Sequence, residues 1–464
     1  MLFNNTCFLR GNMKTHEINM TSGPLAKELW FFSLPLMCSN VLQVLFNLAD
    51  VAVVGRFVGA VALGAVGSTT LIITLTTGIM MGLAAGVNAV AALFLGARDP
   101  RSVSRCVSTA FMICAAAGIL ILSAGLLFAE PVLRLIGTKD ELIGGAELYL
   151  KIYLLGSPGL ALYNFGNAVL SAVGDTKRPL FYLTFAGVLN VALNLLLVLV
   201  FRLGVAGVAL ASIISQYLSA FLILHFLLTC GQAYGLQPRA PVFDSRTAVR
   251  ILYIGIPAAV QYSLFAIANL FIQSAVNSFD HIVVEGNSAA ANADNIVYDI
   301  MAAFYTACTS FISQNRGAGN IKRVRDTYLL TLLYSALAAV LLGGLLALFR
   351  RQFLRLFTDD EQVLYYGSIR LGIMGCSYFI SAFMDDSAAA ARGLGKSIMP
   401  TLIVIMGTVV YRILWVCTVF AHFHTLVSLY LVYATAWAFT SVLGNLYLHR
   451  AYREEKRKCL YKQR

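Results

Sequence analysis

Apolar residues fill this chain in twelve long runs, separated by short polar stretches. About 20 apolar residues carry an α-helix across a bilayer. Read on that length, the pattern predicts helices at Leu29–Val54, Leu63–Leu95, Val107–Phe128, Ala146–Val173, Pro179–Phe201 and Val205–Leu228. A second set follows at Ile251–Phe279, Ser288–Ile312, Tyr328–Phe349, Val363–Ala391, Pro400–Phe420 and Leu426–Leu448. Several exceed the hydrocarbon thickness, which predicts tilt, kinks or extension past the bilayer. Apolar–polar alternation at a period of two is absent, which excludes an outer-membrane barrel. The expected fold class is an all-α integral membrane protein.

The runs repeat. Leu34-Pro35 matches Ile256-Pro257 at an offset of 222 residues. Gly96-Ala97 matches Gly317-Ala318, and Gly174 and Pro179 match Gly395 and Pro400, each at an offset of 221. Six helices per half is an even number, so both halves start on the same side of the membrane. The repeat is therefore parallel, about an axis along the membrane normal. The expected organisation is an N-terminal segment at 1–28, an N-lobe at 29–231, a polar linker at 232–247, a C-lobe at 248–449 and a basic tail at 450–464. Pro238 and Pro241 mark the linker, and Met1, Met13 and Met20 are alternative starts. Two six-helix lobes leave a central cleft, the usual place for a substrate in a V-shaped transporter.

Composition agrees with the pattern: 59% of the 464 residues are apolar and 12% charged, against about 25% charged in a soluble domain. With both termini cytoplasmic, 24 of the 34 basic residues fall inside, 8 outside, and Arg370 and Arg412 within helices. That bias follows the positive-inside rule. It reads the net charge of +12 as topology with anionic lipid as partner; no nucleic-acid motif accompanies it. The nine cysteines show no CxxC or ligand spacing, so neither a disulfide nor a metal site is expected.

Against this background the polar residues inside the runs stand out. Asp50 lies in the first run, where hydrocarbon penalises a carboxylate by several kcal/mol, and such an acid normally lines a polar cavity. Asn190 and Asn194 are four apart and share one helix face. Asp50 is roughly 31 Å and Asn194 roughly 22 Å along their helices from the cytoplasmic start, so both belong to the outer half. The alternatives are that Asp50 pairs with Arg56 and that the asparagines only bond neighbouring helices. In the second half, Asp294, Tyr298 and Asp299 sit on the eighth helix, Asp385 and Asp386 on the tenth, and Arg412 on the eleventh. Asp385 is the repeat counterpart of Asn164. Arg412 requires an acid partner, with Asp299 at similar depth, roughly 17–18 Å. Either a structural ion pair or a second cation or substrate site fits. Gln261 and Asn269 could line the cleft or pack helices. Arg370 is expected to snorkel to the outer surface, and Trp30 and Tyr430 to anchor at the interface.

Several local sequences resemble a known family. These are Phe46-Asn47-Leu48-Ala49-Asp50-Val51 followed by Gly55-Arg56, Ser171-Ala172-Val173-Gly174-Asp175-Thr176-Lys177-Arg178-Pro179, Gln314-Asn315-Arg316-Gly317-Ala318-Gly319 and Ala391-Arg392-Gly393-Leu394-Gly395. From about Pro24 to Arg450 the chain resembles the multidrug and toxic compound extrusion (MATE) family, in its bacterial DNA-damage-inducible branch. The resemblance implies an antiporter, not an enzyme, that expels cationic, amphipathic drugs in exchange for Na+ or H+. It implies a monomer in the bacterial inner membrane, with no cofactor beyond the coupling ion. It further implies an N-lobe cation site at Asp50, Asn190, Asn194 and Ser212, where this chain carries Asn194 in place of a second acid common in the family. Gln261, Tyr298, Asp299, Asp385, Asp386 and Arg412 are the candidates for a C-lobe cation or substrate site. Two readings compete. A lipid-linked saccharide flippase would carry several central arginines. A polytopic transferase would carry a metal-binding motif such as DDxxD, where this chain has Asp-Asp-Ser-Ala-Ala from Asp385.

Overall fold

The computed structural model describes residues 17–237 and 242–463; Met1, Met13, Pro238 and Pro241 lie outside them. Twelve helical spans are present among the described residues. In the first half these are α1 (Leu25–Val58), α2 (Ala60–Gly96), α3 (Pro100–Leu135), α4 (Asp140–Leu155 continued by Ser157–Val173), α5 (Lys177–Val200) and α6 (Gly204–Thr229). In the second half they are α7 (Ser245–Val276), α8 (His281–Gly317), α9 (Ile321–Leu348), α10 (Glu361–Gly393), α11 (Ile398–Phe423) and α12 (Leu426–Gln463). Most run past the apolar cores that announce them.

The fourth span differs from the expected continuous helix Ala146–Val173. It breaks at Gly156, because Pro158 lacks an N–H and fits only the first turn of a new helix. The ends of α1 and α5 relax into π-helical turns at Val54–Val58 and Leu196–Val200. In α11 such turns cover Ile405–Val410 and Val416–Phe420, on either side of Arg412.

The repeat is written into the hydrogen bonds. In the first half Asn88 Nδ2 donates to the Ala168 carbonyl at 3.2 Å and Thr176 Oγ1 to the Phe32 carbonyl at 3.0 Å. In the second half Thr309 Oγ1 donates to the Ala389 carbonyl at 3.1 Å and Ser397 Oγ to the Ile254 carbonyl at 3.0 Å. Every atom pair in the second set sits 221 or 222 residues beyond its partner in the first. On the pseudo-twofold axis, the repeat-related helices α2 and α8 touch each other. Ser310 Oγ donates to Asn88 Oδ1 at 2.9 Å. Gly96 packs on the Gln314 backbone while Gly317 packs on that of Leu93 and Ala97. A Cβ at either glycine would overlap those atoms, so only glycine permits this crossing of α2 and α8.

The lobes join at the end that holds the termini. Gly82 and Gly86 of α2 lie against the backbone of Ala259, Ile251 and Gly255 on α7. One apolar cluster unites Leu29, Phe32 and Leu36 of α1 with Ala303, Ala307 and Phe311 of α8. At the opposite end, clusters around Val53, Leu133 and Leu364 each belong to a single lobe. The two lobes therefore form a V closed on the terminal side.

Residues 17–23 strap this closed end. Ile18 N donates to the Gly174 carbonyl at 3.4 Å, and the Tyr234 hydroxyl donates to Glu17 Oε1 at 2.7 Å, both in the first half. From the C-lobe, Asn315 Nδ2 and Arg323 Nε each reach the Met20 carbonyl at 2.9 Å. Arg323 also holds the Ser22 and Gly23 carbonyls at 2.7 and 2.9 Å. Met20 itself is fully buried.

Candidate functional site

The four N-lobe candidates meet in one cluster. Asp50 rides on α1, Asn190 and Asn194 are one turn apart on α5, and Ser212 faces them from α6. Asn194 Nδ2 donates to Asp50 Oδ1 at 2.5 Å and to Asn190 Oδ1 at 3.2 Å. Ser212 Oγ donates to Asp50 Oδ2 at 3.2 Å, and Asn190 Nδ2 reaches Ser212 Oγ at 3.5 Å. Both carboxylate oxygens are thus held by neutral donors. Arg56 is exposed and the alternative Asp50–Arg56 pair does not form. Asn194 is fully buried and its Oδ1 lacks a hydrogen-bond partner, leaving an amide oxygen free beside the carboxylate. One negative charge and a set of neutral oxygens suit either a monovalent cation or a proton. Tyr149 and Tyr153 of α4, stacked at 6.1 Å, stand within electrostatic reach of Asp50. Sequence reasoning missed them, because tyrosine in an apolar run reads as packing.

A central cavity of about 210 Å³ lies between the lobes. Repeat-related pairs line it from both sides: Asn40 with Tyr262, Asn164 with Asp385, and Ser171 with Arg392. Gln261, Tyr298, Asp299 and Asp385 all reach this cavity. Asn40 Nδ2 donates to the Asp299 backbone carbonyl at 2.7 Å and links the lobes there. Asp385 Oδ2 is buried without a hydrogen-bond partner, and Arg392 and Arg412 are the cations whose charge reaches it. The carboxyl groups of Asp299 and Asp385 and the single guanidinium of Arg392 line the cavity, a lining that draws cations whenever both acids are ionised.

Two of the C-lobe candidates stand apart from this cavity. Asp386, the next residue on α10, points the other way, toward Thr331 and Ser335 of α9; adjacent helical positions diverge by about 100°. Arg412 makes no ion pair with Asp299, Asp385 or Asp386, contrary to the expected pairing. Its Nη1 donates to Asn269 Oδ1 at 3.1 Å, its guanidinium lies 4.5 Å over the Tyr433 ring, and its Nε has no partner. This bond joins α7 and α11, the repeat counterparts of α1 and α5, and in both lobes the donor sits on the later helix. The central arginine is therefore Arg392, and Arg412 is buried behind the cavity wall.

Arg370 does not snorkel. It is buried against α8, where Nε and Nη2 both reach Asp294 Oδ2 at 2.7 Å and Nη1 donates to Asn287 Oδ1 at 2.5 Å. The Tyr378 hydroxyl donates to Asp294 Oδ1 at 2.5 Å, and the Tyr430 hydroxyl to Asn287 Oδ1 at 3.1 Å. Tyr430 is buried in this network and is not an interface anchor, whereas Trp30 is half exposed.

Two pseudo-symmetric six-helix lobes, a cavity on their axis and a carboxylate cluster inside the first lobe define a polytopic membrane transporter. The MatE family model matches residues 35–196 and, again, 257–418. The chain belongs to the MatE family. A probable multidrug resistance protein of Bacillus subtilis, YpnP, is 32% identical over 355 residues, 76% of this chain and 79% of that protein. An FAD transporter of Shewanella oneidensis is 27% identical, covering 77% of this chain and 80% of its own. Among solved structures, a MATE protein in its bent conformation superposes with a TM-score of 0.89 at 21% identity, over 96% of this chain and 99% of that one. A MOP-superfamily transporter from Pyrococcus furiosus, described as having a binding pocket of reversed polarity, gives 0.89 at 22% identity, over 95% and 99%.

Proposed function

We propose that this protein is a secondary multidrug exporter that moves cationic, amphipathic small molecules through the central cavity in exchange for Na+ or H+. The observation that carries this reading is the Asp50 cluster: a carboxylate held by Asn194 and Ser212, with no basic side chain paired to it among the described residues. An acid kept in that state inside a membrane is suited to bind and release a small cation. Substrate and coupling ion then occupy different places, the drug between the lobes and the ion within the N-lobe. Alternating access follows when ion binding at Asp50 changes the packing of α1 against α5 and α6. The setting is the bacterial inner membrane, with a single chain as the working unit, both termini cytoplasmic, and drugs and membrane lipids as partners. One cavity guanidinium is too few for the pyrophosphate of a lipid-linked saccharide, which disfavours the flippase reading.

The test is ethidium uptake into inside-out vesicles loaded with Na+ or with acid. Wild-type protein should accumulate ethidium under one of the two gradients. Asp50→Asn keeps the shape of the cluster without the charge, with its oxygen accepting from Asn194 and its amide nitrogen donating to a turned Ser212 hydroxyl, so folded protein should persist while gradient-driven uptake is lost. Uptake by Asp50→Asn at the wild-type rate would move coupling out of the N-lobe. Absence of gradient-driven transport of any cationic dye by the wild type would overturn the function itself.

A further inference from the structure

A second cavity of about 350 Å³ opens on the closed, terminal side of the V, away from the Asp50 cluster, and shares only Arg392 with the lining of the central cavity. Three guanidinium groups line it: Arg250 from α7, Arg316 from α8 and Arg392 from α10. Acidic compensation is thin. Arg316 Nε is bonded to Glu455 Oε1 at 2.8 Å, and Lys396 at the rim pairs with Glu454 at 3.4 Å. Arg392 makes one bond, from Nε to the Ala388 carbonyl at 3.3 Å, and Arg250 has no ion pair among the described residues, lying 5.8 Å over the Phe94 ring. Two guanidinium groups are therefore left with unspent donors around one space.

The remaining wall is apolar: Leu93 of α2, with Val249 and Tyr253 of α7. Val249 is 65% and Tyr253 46% exposed, so this flank faces outward, along a helix whose next turns expose the apolar Ile256 and Val260. A cavity with guanidinium groups on one side and an apolar opening to the bilayer on the other matches a molecule with a phosphate joined to acyl chains. A soluble anion would have no use for the apolar side.

We propose that this cavity is a binding site for an anionic phospholipid of the cytoplasmic leaflet. Arg250 and Arg392 hold the phosphate by charge-assisted hydrogen bonds, and the acyl chains run along Val249 and Tyr253. Because Leu93 belongs to the N-lobe and the arginines to the C-lobe, the bound lipid spans the junction that closes the terminal side.

Thermal unfolding of the purified full-length protein in detergent, titrated with lipid, tests the site. Phosphatidylglycerol should raise the midpoint temperature well beyond phosphatidylcholine. Each arginine removed should raise the phosphatidylglycerol concentration needed for half the shift about fivefold, and the pair about 25-fold. The variants are Arg250→Gln, Arg392→Gln and the double, with Arg457→Gln of the exposed tail as the charge control. If the double variant does not fold, Arg250→Gln decides alone, since its side chain is exposed and structurally undemanding. Equal stabilisation by phosphatidylcholine would overturn the proposal. So would a loss in Arg250→Gln no larger than in Arg457→Gln. Reproduction of the whole shift by inorganic phosphate would overturn the lipid as occupant.

Discussion

Arg370→Ala should be among the most damaging single changes in the C-lobe. Removing the guanidinium deletes its contacts to Asp294 Oδ2 at 2.7 Å and Asn287 Oδ1 at 2.5 Å, and its position 5.6 Å over the Tyr430 ring. The larger effect is on what remains, a buried carboxylate with one donor, the Tyr378 hydroxyl. Breaking a buried pair from one side costs about 3–5 kcal/mol. An independent bound comes from the stranded acid itself, which can escape by taking a proton. At pH 7 that costs at most about 4 kcal/mol, from 1.36 kcal/mol for each of the roughly 3 pH units above the ordinary carboxylate value. The two figures agree. Equilibrium unfolding in mixed micelles of dodecyl maltoside and dodecyl sulfate measures the loss, and a cycle with Asp294→Asn separates charge from packing. The pair Arg370→Met with Asp294→Asn should recover more than half of the deficit, because it leaves no uncompensated charge. A loss below about 1 kcal/mol in Arg370→Ala, the ordinary size of a hydrogen bond between membrane helices, would show that the pair is not a closed ion pair. So would a double variant no better than the single one.

Arg412→Met should behave oppositely and stay within about 1 kcal/mol of wild type in the same assay, since it removes a buried guanidinium without stranding an acid; rescue of an Arg412 variant by Asp385→Asn would restore the ion-pair reading. Arg323→Ala should release the 17–23 strap at a cost of about 1–3 kcal/mol, from the Ser22 and Gly23 carbonyls left without their donor while Met20 keeps only Asn315, seen as faster hydrogen exchange at residues 18–23; unchanged exchange there would refute it. Gly86→Leu should wedge α2 from the Ile251 and Gly255 backbone and make a cysteine placed at Ala89 more reactive to a thiol reagent from the terminal side; unchanged labelling would show the junction adapts. A cysteine appended after Arg464 on a cysteine-free background should stay protected from an impermeant reagent in intact cells, and labelling would invert the topology.

What the sequence determined by itself was the membrane-spanning framework and its duplication. Twenty-residue apolar runs have few alternatives in a bilayer, because every backbone donor must be satisfied within its own helix. The repeat at 221–222 residues then required two equivalent lobes, whose counterpart helices α2 and α8 meet on the axis, where Ser310 bonds Asn88. The Asp50 cluster was legible through a charge in hydrocarbon and a four-residue spacing, together with a family resemblance that supplied Ser212. Tertiary structure decided every question of which helix faces which. Helical periodicity places residues on one face of a helix but does not name the neighbour that face meets. Hence Arg370, roughly 14 Å along its helix from Glu361, read as reaching for the surface when it bonds Asp294 across to α8. Arg412 demanded an acid by its charge, yet the fold met it with an amide and an aromatic ring. Arg392 looked like part of a loop motif and became the cation shared by both cavities. Each depends on helix rotations set by packing within and between the lobes, which no local stretch of sequence encodes.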